Sequence, residues 1–406
     1  MSKQRFEKKA LVSASYHDLK EHKNNRRIWL EGEDLNDVSF AVDTLFRVEC
    51  DIDNMRVILR AVPSTPENIA LHKKRQLHKV SGRKMTGWVK PIIDVCNANI
   101  TEVFKGAYGE QGRFAAYAYD GVIVFTTHPE DAKRIEREVS LARNLAKGEI
   151  TEGSAFTGIG ISTNATHDGY KKAGLKPTLK WAVELEGRYL DAAKKNSPDV
   201  FSGARLFKGY IEEVEKDLVD PVNSFSFSMS CTDHSNVGKA KKGLSDAEDG
   251  DTATQIFGVM GLIKAANPAI LISENVPSAQ SSFTYKVMKK ELERTGYNVY
   301  DLVLGQTHSG SLDRRQRYWF IAVSKGLNIA PEMLIPSERD LEYKNVGEIL
   351  DKDCDLEWTP LTKFEERQAK NIAEGRNFKM NLVDETTTVV GTIPRNYTKR
   401  QVSNPH

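Results

Sequence analysis

The stretch Ala155-Phe-Thr-Gly158-Ile-Gly160-Ile-Ser-Thr163 decides the fold of the second half of this 406-residue sequence. It begins at the end of a strand-like segment, and its paired glycines permit a tight turn of the kind that approaches a nucleotide closely. From Thr151 onward, strand-like segments alternate with helix-like ones. This alternation predicts a doubly wound α/β domain.

The expected positions of the strands and helices follow from the same alternation. The strands are expected at residues 153–158, 179–185, 204–207, 222–229, 269–274, 299–304 and 318–323. The helices are expected at residues 186–195, 212–218, 253–266 and 283–295. A further helix, at residues 129–147, is expected to lead into this domain because its composition favours helix.

An acidic side chain closes the second predicted strand, which ends in Val183-Glu184. A carboxylate roughly 20 or more residues beyond a glycine turn suits the hydroxyls of a ribose. The pair is typical of a pocket for an adenosine-containing cofactor. Thr163 stands where a dinucleotide fingerprint has its third glycine, which disfavours a nicotinamide-dependent oxidoreductase.

Three other strand ends carry reactive or charged side chains. Cys231 follows residues 222–229, Glu274 ends residues 269–274, and Arg315 and Arg317 stand where the last strand begins. We expect these groups to converge, because ligands of open α/β sheets bind at the carboxyl ends of the strands. Each also has an ordinary interpretation, since a lone cysteine is more often a core residue and an arginine-rich strand can be a solvated edge.

The sequence resembles the C5-cytosine DNA methyltransferases in the order of its motifs. These motifs are the glycine turn, Glu184, the cysteine loop, Glu274-Asn-Val and Arg315-x-Arg317. The resemblance covers the sequence from about Phe156 to Val323. It implies a Rossmann-like, S-adenosylmethionine-dependent methyltransferase sheet with helices on both faces. It also implies S-adenosylmethionine as cofactor, double-stranded DNA as partner, and DNA methylation of the restriction-modification kind.

The resemblance implies a role for each matching residue. Cys231 would attack C6 of a cytosine flipped out of the duplex, forming a covalent adduct. Glu274 would contact the ring at N3 and the exocyclic amine, and Arg315 would orient the base with Arg317 in support. The residues implied in cofactor binding are Phe156, Gly158, Gly160, Glu184, Ser230 and Thr254.

The sequence departs from the family pattern beside the cysteine and at the C-terminus. Ser230 precedes Cys231 where the family usually has proline, and the two last family motifs do not appear after Val323. Four interpretations stay open: a truncated chain, a second polypeptide that supplies the missing motifs, a catalytically inactive DNA-binding relative, or a permuted chain in which residues 130–146 replace the last motif. The sequence gives no recognition site.

The first 128 residues contain one pattern twice, at residues 28–61 and 91–125. Each copy predicts a strand, a short helical turn and a hairpin of two alternating strands. This double unit resembles the swapped-hairpin DNA-binding barrels of the AbrB and SymE kind. The basic segment at residues 72–84 is either a phosphate-contacting linker or a solvated one.

The predicted domains are therefore a β-rich module at 1–128, a helical linker at 129–150, a catalytic domain at 151–325 and a partial target-recognition region at 326–406. The net charge of +2 does not by itself indicate a nucleic-acid partner. Four widely spaced cysteines predict neither a metal site nor a disulfide framework. No apolar run approaches about 18 residues and no signal peptide is recognisable, so we expect a cytoplasmic protein with no membrane association.

Overall fold

The computed structural model describes residues 5–6, 9–105, 112–230, 253–350, 361–376, 380 and 382–391. The chain divides into two compact units, Met1–Glu136 and Arg137–His406, which are described separately below. Within the described residues, no helix is both long enough and apolar enough to cross a membrane.

The first unit is built from two copies of one arrangement. Two short strands, β1 (Arg5–Phe6) and β2 (Lys9–Ala10), come before them. The elements of the first copy are β3 (Ser13–Asp18), β4 (Lys20–His22), β5 (Asn25–Glu31), α1 (Asp34–Asp37), β6 (Leu45–Asp51) and β7 (Arg56–Val62). Helix α2 (Pro66–Lys73) follows. The elements of the second copy are β8 (His78–Lys79), β9 (Ser81–Met85), β10 (Trp88–Cys96), α3 (Ala98–Lys105), β11 (Arg113–Tyr119) and β12 (Val122–Thr127).

The two copies are interleaved with an internal two-fold relationship. The strand orders are β4-β5-β10-β9 in one sheet and β3-β11-β12-β7-β6-β8 in the other. Exchange of the copies reproduces both orders, because β5 pairs with β10, β7 pairs with β12, and the first strand of each copy pairs with the hairpin of the other. A shared core, which includes Ile28, Leu59, Ile93 and Phe125, is buried by both copies.

The basic segment at residues 72–84 is not the linker that the sequence suggests. Its first residues end α2, and its later residues form β8 and β9. Strand β9 pairs along its length with β10, and backbone pairing to a sheet therefore overrides the polar, charged composition of the segment. The lysine and arginine of β9 are thus held on a sheet surface.

The second unit is a seven-stranded sheet between helices. Its strands are β13 (Glu149–Ala155), β14 (Lys176–Glu184), β15 (Arg205–Lys208), β16 (Ser224–Phe227), β17 (Ile270–Asn275), β18 (Tyr297–Leu304) and β19 (Arg317–Ser324). The order is β15-β14-β13-β16-β17-β19-β18, with β19 antiparallel to both its neighbours and the other pairs parallel. The strand order reverses between β13 and β16, which is where sheets of this kind bind ligands.

Helices cover both faces of this sheet, as the sequence predicts. The α-helices of this part of the chain are α4 (Pro129–Leu145), α5 (Ile161–Lys172), α6 (Gly187–Asn196), α7 (Pro198–Phe201), α8 (Gln255–Ala266), α9 (Phe283–Arg294), α10 (Gln306–Ser309) and α11 (Thr362–Ala373). Val259 of α8 and Met288 of α9 belong to the same core cluster as Phe225, whereas Leu190 of α6 and Ala182 belong to another. The predicted fold class, an α/β sheet behind a β-rich module, is confirmed.

Three local predictions differ from the structure. The strand expected at 153–158 is Glu149–Ala155, so it ends before the glycine turn. The helix expected at 212–218 is a pair of single 3₁₀ turns, Ile211–Glu213 and Lys216–Leu218. Its buried residues, Ile211, Val214 and Val219, are three and five positions apart and make no continuous helical stripe. The sequence also failed to predict α5, because the buried positions of that helix are the polar residues Thr163 and His167.

Candidate functional site

The turn after β13 has a left-handed backbone at three positions. Phe156, Gly158 and Gly160 have φ angles of 54°, 56° and 87°. A Cβ at Gly160 would lie 2.9 Å from the ring of Phe201 and 3.2 Å from Cβ of Ala193. Glycine at this position therefore allows α5 to begin close to α6 and α7. The left-handed conformation of Phe156, which is unusual for a bulky residue, is a strain of the kind found at functional sites.

The carboxylate of Glu184 is attached to this turn. Its Oε2 accepts a hydrogen bond of 2.8 Å from the backbone N–H of Gly158, and its Oε1 accepts one of 3.1 Å from the backbone N–H of Glu186. A carboxylate offers about four acceptor positions, so each oxygen can still accept from a ligand hydroxyl. The two ends of the predicted cofactor motif are thus joined directly at the carboxyl ends of β13 and β14.

A cavity of about 440 Å³ opens beside this carboxylate. Four of the six predicted cofactor residues line it: Phe156, Glu184, Ser230 and Thr254. Gly158 and Gly160 shape the turn and are not among its lining residues. The lining residues that sequence reasoning missed are Val183, Leu185, Gly209, Tyr210, Ile211, Glu212, Ser228 and Gln255.

Polar contacts hold the far wall of the cavity. Thr254 Oγ1 donates to Glu212 Oε1 over 2.9 Å, and the backbone N–H of Ser230 donates to Gln255 Oε1 over 3.2 Å. Tyr210, at the carboxyl end of β15, is 59% exposed. The aromatic rings of Phe156 and Tyr210 and a carboxylate with further acceptor positions suit an adenosine-containing group. The sequence could have indicated Tyr210 as a cavity residue, because it lies just after a predicted strand.

Asn275 joins the ends of β16 and β17. Its side chain is 2% exposed, and its Nδ2 donates a 3.1 Å hydrogen bond to the backbone oxygen of Met229. The hydroxyl of Tyr285 lies 3.2 Å from the same nitrogen. The sequence pointed to Glu274-Asn-Val as a motif but gave no role to this asparagine. Its amide places the chain that leads to Cys231 beside Glu274.

Glu274 forms an ion pair with one of the two predicted arginines. Arg317 Nε lies 2.5 Å from Glu274 Oε1, and the side chains are 21% and 27% exposed. Trp319 stands directly opposite Glu274 in the β17–β19 pair, which puts all three side chains on one face. The structure therefore brings the predicted carboxylate and Arg317 together.

Arg315 lies before β19 begins and is exposed. Its backbone N–H donates to Asp313 Oδ1 over 2.8 Å. Its side chain and that of Arg317 line a hollow of about 290 Å³, together with His308 and Trp319. Arg315 thus shares this hollow with Arg317, the ion-pair partner of Glu274. Cys231 lies outside the described residues, which reach Ser230 on this side.

Comparison with known proteins finds one family and several individual relatives that are similar to this chain. The sequence profile of the family described as C-5 cytosine-specific DNA methylase matches residues 156–404. Type II methyltransferase M.MspI of Moraxella sp is 27% identical over 197 residues, which are 48% of this chain and 44% of the relative. M.SsoII of Shigella sonnei is 25% identical over 193 residues, 46% of this chain and 49% of the relative. The chain thus spans about half the length of these curated relatives.

Solved structures also match part of the chain. The Dnmt2 methyltransferase of S. pombe matches with a TM-score of 0.46 and 14% identity, over 62% of this chain and 72% of that one. The methyltransferase EhMeth of Entamoeba histolytica matches with a TM-score of 0.47 and 14% identity, over 62% and 73%.

Proposed function

Because the chain belongs to the C-5 cytosine-specific DNA methylase family, we propose that it transfers a methyl group from S-adenosylmethionine to C5 of a cytosine in double-stranded DNA. The observation that carries the proposal is the hydrogen bond from Asn275 to the backbone oxygen of Met229. It holds the segment that leads to Cys231 against the strand end that carries Glu274. The nucleophile and the acid of the predicted chemistry are thereby expected to face one base.

The proposed reaction begins with a flipped-out cytosine, because the target atom cannot be reached inside a duplex. The Cys231 thiolate forms a bond to C6, and the electron pair of the C5–C6 double bond becomes available at C5. The Glu274 carboxyl supports this step by contact with N3 and the exocyclic amine. C5 would then take the methyl group as the bond from that methyl to the sulfonium sulfur breaks and the sulfur keeps the electron pair. Loss of the C5 proton to water would expel the thiolate and restore the double bond.

Arg317 is the proposed positioning residue for Glu274, since it holds the carboxylate at 2.5 Å. Arg315, in the adjoining hollow, is proposed to orient the base. Cationic side chains near Cys231 would favour the thiolate over the thiol. The relatives are named type II methyltransferases, and we propose for this chain a place in a restriction-modification system.

S-adenosylmethionine, when bound, supplies the electrophilic methyl group. The residues proposed to hold it line the cavity of about 440 Å³. Glu184 would accept from the ribose hydroxyls, since its carboxylate is already oriented by Gly158. Phe156 would lie along the adenosine, with Ser230 and Thr254 on the polar side. Gly158 and Gly160 would act through the shape of the turn.

A contact with a second polypeptide stays a prediction. An apolar groove of about 480 Å³ lies between α5 and the sheet, lined by Tyr170, Phe227, Ile272, Trp319 and neighbouring residues. Such a groove would accept a further segment, and it borders Glu274 and Ser228. The groove is therefore where we would look for a contact with a second polypeptide.

The test is transfer of a labelled methyl group from S-adenosylmethionine to cytosine-containing duplex DNA, with Cys231→Ser as the inactive control. Duplexes that carry 5-fluorocytosine should trap the wild-type protein covalently, because the fluorine at C5 cannot be lost as a proton is. The Cys231→Ser variant should bind the same duplex without the covalent bond. Binding of DNA by the wild-type protein with neither transfer nor trapping would instead identify an inactive DNA-binding relative.

A further inference from the structure

The outer face of the four-stranded sheet in the first unit carries two equivalent pairs of cations. Lys20 of β4 stands directly opposite Arg27 of β5, and Arg83 of β9 stands directly opposite Lys90 of β10. Exchange of the two copies converts one strand pair into the other. Ile28, the neighbour of Arg27, is fully buried, so the cations occupy the face that points away from the core.

Each pair of cations is only partly neutralised. Arg27 Nη2 lies 2.7 Å from Asp94 Oδ2. At the equivalent position, Glu31 accepts both Lys90 Nζ at 3.4 Å and Arg83 Nη1 at 3.5 Å. Arg83 and Lys90 thus share one carboxylate, whereas Asp94 at the other end pairs with Arg27.

Like charges directly opposite each other on neighbouring strands destabilise a sheet. The arrangement nevertheless occurs at both equivalent ends, which is expected of a surface that meets anions. Lys23, an exposed lysine at the turn between β4 and β5, adds to the positive charge at this end of the sheet. Arg27 also lies over the ring of Trp29, with 4.6 Å between the guanidinium carbon and the ring centre.

The two pairs of cations, Lys20 with Arg27 and Arg83 with Lys90, are called clusters here. The distance between the two clusters indicates which kind of anion could contact both. Arg27 stands opposite Cys96, and Lys90 is six positions from Cys96 along the same strand. At about 3.4 Å per residue the clusters are about 20 Å apart. A small anion cannot touch both, whereas the phosphate rows on either side of a DNA major groove, about 12 Å wide, are within reach of such long side chains.

We propose that the outer face of this four-stranded sheet binds the phosphate backbone of double-stranded DNA through two equivalent clusters, Lys20 with Arg27 and Arg83 with Lys90. The choice of DNA over other polyanions rests on the proposed function. Contacts of this kind position a protein on a duplex without reading its sequence. The first unit therefore adds affinity for DNA independent of the target cytosine.

The experiment measures binding of the full chain to a fluorescent duplex of A·T pairs only, which offers no cytosine to the candidate site. The variants are Lys20→Gln, Arg83→Gln and the double variant, with Lys74→Gln, outside this sheet, as the matched control. Each single variant should weaken binding and lower the slope of log K against log salt concentration by about 0.9 for each lost phosphate contact. The two single variants should act equally, and the double variant should show their sum.

Unchanged affinity in the double variant would overturn the proposal, as would an effect confined to one of the two clusters. None of the four variants should unfold at a lower temperature than the wild type, because the substituted side chains are exposed and removal of an opposed like charge does not destabilise a sheet. Failure of the proposed function would look different. In that case methyl transfer to cytosine-containing DNA would be absent while A·T duplex binding kept its dependence on Lys20 and Arg83.

Discussion

Asn275 Nδ2 donates a hydrogen bond to the backbone oxygen of Met229 over 3.1 Å, inside the core of the second unit. The bond joins the carboxyl ends of two adjacent parallel strands, β16 and β17. One residue before Asn275 stands Glu274, and two residues after Met229 stands Cys231. A single buried amide thus fixes Met229 against the end of β17, and we propose that it thereby orients the two groups on which the proposed chemistry depends.

We expect Asn275→Ala to lower both stability and methyl transfer. The substitution leaves a buried carbonyl oxygen without its donor, at a cost of about 1–3 kcal/mol in the free energy of unfolding. It also frees the segment before Cys231, and a displacement of about 1 Å in an active site can cost roughly 100-fold in rate. Chemical unfolding and labelled methyl transfer measure the two effects.

Tyr285→Phe is the matched control for this prediction. It removes a hydroxyl that lies 3.2 Å from Asn275 Nδ2 and 3.1 Å from Ser273 Oγ, and it leaves the bond to Met229 in place. Its loss of stability should be similar, with a much smaller loss of transfer. Equal losses of transfer in the two variants would show that Asn275 contributes only stability.

Arg317→Gln should reduce methyl transfer far more than it reduces stability. The ion pair with Glu274 is partly exposed, and pairs of this kind contribute about 1 kcal/mol or less to folding. Loss of the guanidinium leaves the Glu274 carboxylate without the group that holds it. Transfer kinetics and chemical unfolding, compared with Arg314→Gln as an exposed neighbouring control, separate the two quantities. A rate equal to that of the control would refute the positioning role.

Gly160→Ala should destabilise the second unit more than Gly158→Ala. Both glycines have positive φ angles, which cost an alanine about 1–2 kcal/mol. A Cβ at Gly158 meets no atom within 4 Å, whereas one at Gly160 overlaps the ring of Phe201 at 2.9 Å. The difference between the two midpoints of chemical unfolding reports this overlap. Equal midpoints would mean that α5 shifts freely to accept the methyl group.

The strand ends of the second unit could be predicted because apolar runs mark buried strands. The expected strand 269–274 is Ile270–Asn275 in the structure, which leaves Glu274 at the predicted edge. The sequence could not predict which of Arg315 and Arg317 pairs with Glu274, because the answer depends on β19 beginning at Arg317. A helix with buried polar residues, such as α5, carries no hydrophobic pattern to detect.

The interactions between distant parts of the chain could not be predicted from the sequence either. Asn275 is an ordinary polar residue until its partner, Met229, is known. In the first unit the repeated pattern was visible, but the pairing of each first strand with the hairpin of the other copy was not. Pairing partners depend on tertiary packing, which alternation of side chains along one strand does not reveal.

The last prediction concerns a buried pair, Glu152 and His167, whose Oε2 and Nδ1 atoms lie 2.6 Å apart. Both side chains are buried. Burial raises the pKa of Glu152 from its ordinary 4.5 to about 8, opposed by the positive charge of Lys171. Burial also lowers the pKa of His167 from its ordinary 6.5. We therefore expect a protonated carboxyl that donates to a neutral imidazole near neutral pH.

These shifts have opposite effects on stability. Between pH values of about 4.5 and about 8, the folded state holds a proton on Glu152 that the unfolded chain has lost. The free energy of unfolding contributed by this group therefore falls as pH rises. His167 opposes this fall only below a pH of about 6.5, where its imidazole is protonated in the unfolded chain and neutral in the folded state. The fall contributed by Glu152 is therefore unopposed by His167 from about 6.5 to about 8.

Glu152→Gln should remove this fall, because the amide keeps a donor for Nδ1 of His167 but has no proton to lose. Chemical unfolding of the wild type across this range should show a slope of no more than about 1.4 kcal/mol per pH unit from this group. The variant should show a flatter curve and gain relative stability as pH rises. Glu149→Gln, an exposed change at the start of the same strand, is the matched control and should keep the wild-type slope. A slope that persists in Glu152→Gln would assign the pH dependence to other groups.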